Sequence, residues 1–131
     1  MEAAEIDQTR RDLANWSQPV IFDVVTEGYV ALVGAGHYSF RVLVAMHARA
    51  WRLMLLDDRA KLLETRKELA DLARLAGLSR QSLERIDNLV LEELLDVVNA
   101  RFGRSAEVVR AYSRLLLRTA TSLAEMRLAE V

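Results

Sequence analysis

Two side chains in this 131-residue sequence stand where a polar group must be matched or put to use: His47 and Asp87. His47 falls in the middle of an apolar helical face, with Leu43 and Trp51 one turn to either side. A neutral imidazole in that setting can take a neighbouring carboxylate or carbonyl as its partner. It can also ligate iron, as in b-type haem sites. Phosphorylation is a third reading, but the surrounding M-H-A-R-A-W lacks the basic and glycine pattern of phosphotransfer histidines. Asp87 falls on the apolar arc of a later helix, between Leu94 and Val98. A buried carboxylate left alone would cost several kcal/mol, so it requires a partner. An arginine such as Arg66, Arg74 or Arg127 can supply one; a regulatory contact across a dimer interface is the alternative.

Other arrangements carry less chemistry. Glu92, Glu93 and Asp96 are clustered, but a di-iron carboxylate bundle needs Glu-x-x-His pairs on two helices, which the chain lacks. Glu92 and Asp96 also fall on a polar ridge, so no metal is expected. Gly34-Ala35-Gly36 lacks the further glycine and the lysine of a phosphate loop. His37, in that loop, is expected to be exposed. No nucleophile–base pair or acidic dyad is recognisable by spacing, and an enzyme is not expected.

The elements that position these residues read as helices throughout. Residues 1–18 form a polar lead-in, in which 5–16 suits a short helix anchored by Ile6, Leu13 and Trp16. Pro19 suits the first turn of the next helix, which runs to about Val33. There Ile21, Phe22, Val25, Gly28, Tyr29 and Leu32 gather on one side. Gly28 costs helix propensity, which implies either close approach by another helix or a kink. The Gly34–Gly36 breaker precedes a helix over 38–56 whose inner face holds Phe40, Leu43, Val44, His47, Ala50, Trp51, Met54 and Leu55. Asp58 is the expected N-cap of a charged helix over 59–76, with Leu62, Leu69, Leu72, Ala73 and Ala76 inside and Gly77 as its stop. Ser79 opens a strongly apolar helix over 79–102, striped by Leu83, Ile86, Val90, Leu94, Val97 and Val98 and widened by Leu89, Leu91 and Leu95. Ser105 caps the last helix, which carries Val109, Tyr112, Leu115, Leu116, Leu123 and Met126 on one face. No strand pattern competes. The expected fold is a single all-α domain over 1–131, of five or six helices, globin-like or otherwise an antiparallel bundle.

Composition narrows the function classes. Apolar residues make up 52% of the chain, slightly rich for one soluble domain, which suggests burial by self-association. A net charge of −1 offers no global field for nucleic acid. The 18 cationic side chains include two lysines, Lys61 and Lys67, the rest being arginine. The absence of cysteine removes disulfides, thiolate metal sites, iron–sulfur clusters and a cysteine nucleophile together. The acidic, polar N-terminus is not a signal peptide, and no apolar run approaches the roughly 20 residues that span a bilayer. The expected setting is cytoplasmic, away from membranes.

The order of elements carries one resemblance, over the about 85 residues from His47 onward. H-A-R-A-W-R-L is similar to the start of the helix that crosses the haem pocket of bacterial globin-type sensor domains, the globin-coupled sensors and protoglobins. R-K-E-L-A-D-L-A-R-L-A-G-L resembles their proximal helix, which ends in a pattern like H-x-R-x-G-L; here the match is L-A-R-L-A-G-L. E-L-L-D-V-V-N-A-R-F and the 112–126 helix resemble the two long helices that follow. The proximal ligand, counted back from Gly77, would fall near Ala73, where there is no histidine. The resemblance therefore implies a haem-free variant: a sensory or regulatory module, dimeric through its last two helices, passing a signal to a partner protein.

The expectations that follow are specific. The chain is a non-enzymatic signalling module and a homodimer, with Leu91, Leu95, Val98, Leu117 and Leu128 at the interface. Tyr29, Leu43, His47, Trp51 and Met54 frame a candidate small-ligand pocket. The alternatives are a haem-based gas or redox sensor ligated by His47, and a helical adaptor for another protein.

Overall fold

The computed structural model describes residues 3–129, with side chains through 127. Its five helices are α1 (Ala3–Val33), α2 (Phe40–Leu55), α3 (Arg59–Leu75), α4 (Arg80–Phe102) and α5 (Ala106–Ala129). No strand occurs among the described residues, and the all-α reading holds.

The main departure from expectation is α1. The polar lead-in and the helix after Pro19 are one continuous helix with Pro19 inside it. A proline in a helix interior costs about 3 kcal/mol, through the lost N–H and the clash of its ring with the carbonyl four residues back. The compensation is an unbroken stripe at four-residue spacing: Leu13, Ser17, Ile21, Val25 and Tyr29 are all buried, and Pro19 itself faces solvent. Burying Leu13, Ile21 and Val25 contributes roughly 1.5–3 kcal/mol each, enough to outweigh the proline. The first turns are also held from outside. Trp16 packs edge-on between Phe102 and Tyr112, at ring-centroid distances of 5.3 and 5.5 Å, with the Arg101 guanidinium over its ring. Of the expected lead-in, residues 3–18 are therefore part of the folded body; residues 1 and 2 lie outside the described residues.

The helix ends follow their local chemistry. Gly34 and Gly77 adopt φ of +83° and +78°, the left-handed conformation that ends a helix. At Gly77 the Leu78 amide donates to the Ala73 carbonyl and the Gly77 amide to Arg74, closing α3 in a Schellman motif. Asp57, at φ +59°, plays the same part between α2 and α3, while Asp58 caps Lys61. Ser79 and Ser105 accept from the amides of Ser82 and Val108.

Packing is uneven. α1 lies against α2, α4 and α5; α4 lies against α5; α2 also touches α5. α3 packs on α2 and makes no comparable contact with α4 or α5. A cleft therefore opens between α3 on one side and α4 and α5 on the other. α1 and α4 cross closely at Gly28, where an added Cβ would come within 2.8 Å of Ile86 Cγ1. Close approach, not a kink, is the reason for glycine there. Among the described helices, none is long and apolar enough to cross a membrane.

Candidate functional site

His47 and Asp87, treated separately in the sequence, are partners. Asp87 Oδ1 accepts from His47 Nε2 at 2.7 Å and from Trp51 Nε1 at 2.9 Å. His47 and Trp51 lie one turn apart on the buried face of α2, so both reach one oxygen on α4. The other ring nitrogen, His47 Nδ1, lies 2.7 Å from the Tyr29 hydroxyl on α1. Tyr29 follows Gly28 and Asp87 follows Ile86, so the glycine crossing that draws α1 and α4 together sets both ends of this chain of polar groups. Relative exposures of 0% for Tyr29 and Trp51, 2% for His47 and 3% for Asp87 put the whole network in the core.

The proton positions follow from the acceptor. A carboxylate donates nothing, so Nε2 carries a proton toward Asp87; the Tyr29 hydroxyl, donor and acceptor both, matches Nδ1 in either state. Burial alone would push the Asp87 carboxyl up. The His47 hydrogen bond and charge, the nearby Arg66 guanidinium and the Trp51 hydrogen bond outweigh it and hold the group below the usual carboxylate range. Tyr29 is pushed above its ordinary value, chiefly by burial and further by the Asp87 charge, so its phenol stays protonated.

The second carboxylate oxygen turns the other way. Asp87 Oδ2 lies 3.7 Å from Arg127 Nη2 and 4.0 Å from Arg66 Nη1. Two of the three arginines proposed from the sequence thus surround Asp87. Arg74 instead pairs with Asp71 at 2.6 Å on the surface of α3. Arg127, in the last turn of α5, also approaches Glu84 through Nε at 3.7 Å. Its Nε and Nη2 are both closed off from solvent and have no hydrogen-bond acceptor among the described residues.

These groups form the floor of the cleft beside α3, which has a volume of about 470 Å³. Leu63, Leu69, Ala70 and Ala73 of α3 form one wall, and Leu78 and Leu83 continue it toward α4. Arg80 and Lys67 stand at its edges, both exposed. A more open groove of about 520 Å³ runs between α1 and α2 past Pro19, Phe22 and Arg49, and it contains no buried charged side chain.

Several expected site residues need relocation. Tyr29, Leu43, Trp51 and Met54 do not frame a ligand pocket beside His47: all are packed core, and of the five named residues His47 alone lines the cleft. Met54 borders only a void of about 20 Å³ near Asp57. His47 as a haem ligand meets a chemical obstacle, since both ring nitrogens are held by protein partners and iron could reach one only by displacing Asp87 or Tyr29. Among the expected interface residues, Val98 is wholly buried within one chain, and Leu91 and Leu95 are half-buried against its own core. Leu117 is exposed; the side chain of Leu128 lies outside the described residues. His37, expected to be exposed, is half-buried and accepts the Ser39 amide at Nδ1. Glu92, Glu93 and Asp96 are exposed, and no group of three or more possible metal ligands exists among the described residues.

The order Tyr–His–Asp invites comparison with a catalytic triad, but its first member is fully enclosed and its histidine offers the cleft no free nitrogen. What the network can do is fix α1, α2 and α4 around one charge, and present the far side of that charge to the cleft. Sequence reasoning missed the cleft and Arg127's place in it, because no spacing pattern reports where α3 leaves a gap. Compared with protein-family models, curated proteins and solved structures, the chain matches none of them.

Proposed function

We propose that this chain is a non-enzymatic sensory module that binds a small ligand in the cleft between α3 and α4–α5 and passes its occupancy to a protein partner. The observation that carries the reading is the buried Asp87 carboxylate, fixed on one oxygen by His47 and Trp51 and open on the other to a cleft rimmed by Arg66 and Arg127. A ligand seated there meets three independent parts of the fold: α3, which is held by α2; the end of α4; and the last turn of α5 through Arg127. Differential contact with two arrangements of these parts is what a switch requires. The resemblance of the chain from His47 onward to globin-type sensors supports the same class. A homodimer through α4 and α5 belongs to the proposal and draws on the exposed Leu89 and Leu117.

The test is a thermal-shift screen with small organic acids, amines and neutral compounds, followed by hydrogen exchange. A ligand at about 100 times its Kd should add about 2.7 kcal/mol to stability. It should slow exchange along α3 and be recovered chemically unchanged. The Ala70→Trp variant, which fills the cleft from an exposed position, should abolish the shift. Turnover of a compound, or stabilisation that survives Ala70→Trp, would overturn the reading. For the dimer, sedimentation should show a concentration-dependent association that Leu117→Glu weakens.

A further inference from the structure

We infer that the outer face of α1 and α2 is where two copies of this chain meet, related by a two-fold axis along the groove between these helices, with Asp23 of each copy over Arg49 of the other. This contact uses neither the cleft beside α3 nor the α4–α5 face, so it stands or falls apart from the function proposed above. Two observations lead to it, and symmetry joins them.

The first is exposed apolar surface gathered on one face. Pro19, Phe22, Thr26 and Val30 on α1 follow one another at spacings of three or four, as do Val42, Ala45 and Arg49 on α2, so each set forms one stripe. Phe22, Val30 and Val42 are 52%, 46% and 51% exposed. Pro19, Phe22 and Ala48 line the groove of about 520 Å³ that separates the stripes. Single exposed apolar side chains are ordinary, but a contiguous set rimmed by charge marks a contact surface.

The second is the separation of charge across that groove. No lysine or arginine occurs from Asp12 to Phe40, and no aspartate or glutamate from Gly28 to Leu56. The α1 lip is therefore acidic, with Asp23 and Glu27 exposed, and the α2 lip basic, with Arg41 and Arg49 exposed. Asp23 and Arg49 line the same groove from opposite sides, yet neither forms an ion pair among the described residues. A two-fold axis along the groove keeps each residue at its own height and exchanges the lips. Acid then faces base twice, and α1 of each copy packs over α2 of the other around the apolar centre. A two-fold axis across the groove would instead set acid on acid. An anionic bilayer would attract the α2 lip but repel the α1 lip; a second copy matches both.

Sedimentation equilibrium of the full chain tests this, with Leu117→Glu as a common background so that the remaining association reports the α1–α2 face. The background protein should self-associate below about 100 μM. Asp23→Arg and Arg49→Asp should each weaken that association at least about tenfold, because each reversal sets two like-charged pairs in the dimer. An equimolar mixture of the two variants should regain it to within about threefold, since the reversed lip of each then faces an oppositely charged lip of the other. Phe22→Ser should weaken it at least about tenfold through loss of the apolar centre. Circular dichroism confirms that each variant is folded. Three results overturn the inference: a background protein that stays monomeric, single reversals that leave association unchanged, or a mixture that associates no better than its components. A monomeric background beside an associating wild type overturns it and leaves the α4–α5 contact standing. Binding of a monomeric background to vesicles of phosphatidylcholine and phosphatidylserine, lost in Arg49→Asp, overturns it in favour of a bilayer.

Discussion

Replacing Asp87 with leucine isolates what the buried carboxylate contributes. The two side chains have the same heavy-atom skeleton, so Asp87→Leu changes charge and hydrogen bonding with little change of shape. It removes the acceptor from His47 Nε2 and Trp51 Nε1, both buried donors. Leaving each unmatched costs about 1–3 kcal/mol. It also leaves Arg66 and Arg127 without the carboxylate that they face at 4.0 and 3.7 Å. Breaking a buried ion pair from one side costs about 3–5 kcal/mol. These figures overlap, because they count the same desolvated groups, and leucine returns part of the loss as apolar burial. The expected net loss is therefore about 3 kcal/mol, a large share of the 5–15 kcal/mol that holds a typical domain together. Urea unfolding followed by far-UV circular dichroism measures it directly, and the midpoint temperature should fall by roughly 10 °C. The companion His47→Leu/Asp87→Leu variant should recover about 1 kcal/mol or more relative to the sum of the single changes, since one orphaned donor is gone. An Asp87→Leu protein within about 1 kcal/mol of wild type, with additive behaviour in the double variant, would refute the network as the anchor of α1, α2 and α4.

Three further predictions follow from the same groups. Because the Asp87 carboxyl is held below its usual range, the unfolded chain takes up its proton first as pH falls. The stabilisation from Asp87 is therefore complete well above about pH 4 and is lost below it, and urea midpoints between pH 7 and pH 3 should fall less steeply in Asp87→Asn than in wild type. Tyr29→Phe strips the hydroxyl from His47 Nδ1 and should cost about 1–3 kcal/mol in urea unfolding with secondary structure unchanged; a neutral result would show that the ring nitrogen finds another partner. Gly28→Ala gains helix propensity of about 1 kcal/mol but sets a methyl 2.8 Å from Ile86 Cγ1, and overpacking at about 1–3 kcal/mol should leave a net loss of midpoint temperature.

Much of this molecule can be read along the chain, and the part that cannot has a common cause. Helical periodicity, the Asp58, Ser79 and Ser105 caps and the left-handed glycines are local properties, expressed within one or two turns. They determined the all-α class, the boundaries of α2 to α5 and the inward direction of His47 and Asp87. The same local rules misplaced one boundary: Pro19 reads as a helix start, but the stripe from Leu13 to Tyr29 carries the helix through it. Pairing is a different kind of property. His47 and Asp87 are 40 positions apart, and a helical wheel says only that each faces inward. That they meet, with Tyr29 on the far nitrogen and Trp51 on the same oxygen, depends on how α1, α2 and α4 cross at Gly28. The burial of Val98 inside one chain was decided at the same level. So was the cleft, which exists because α3 packs on α2 and leaves its other side open toward Arg127. The sequence by itself determined which side chains must be buried and matched; the crossing of the helices decided which of them meet, because contact between faces is set by non-local packing that no local period encodes.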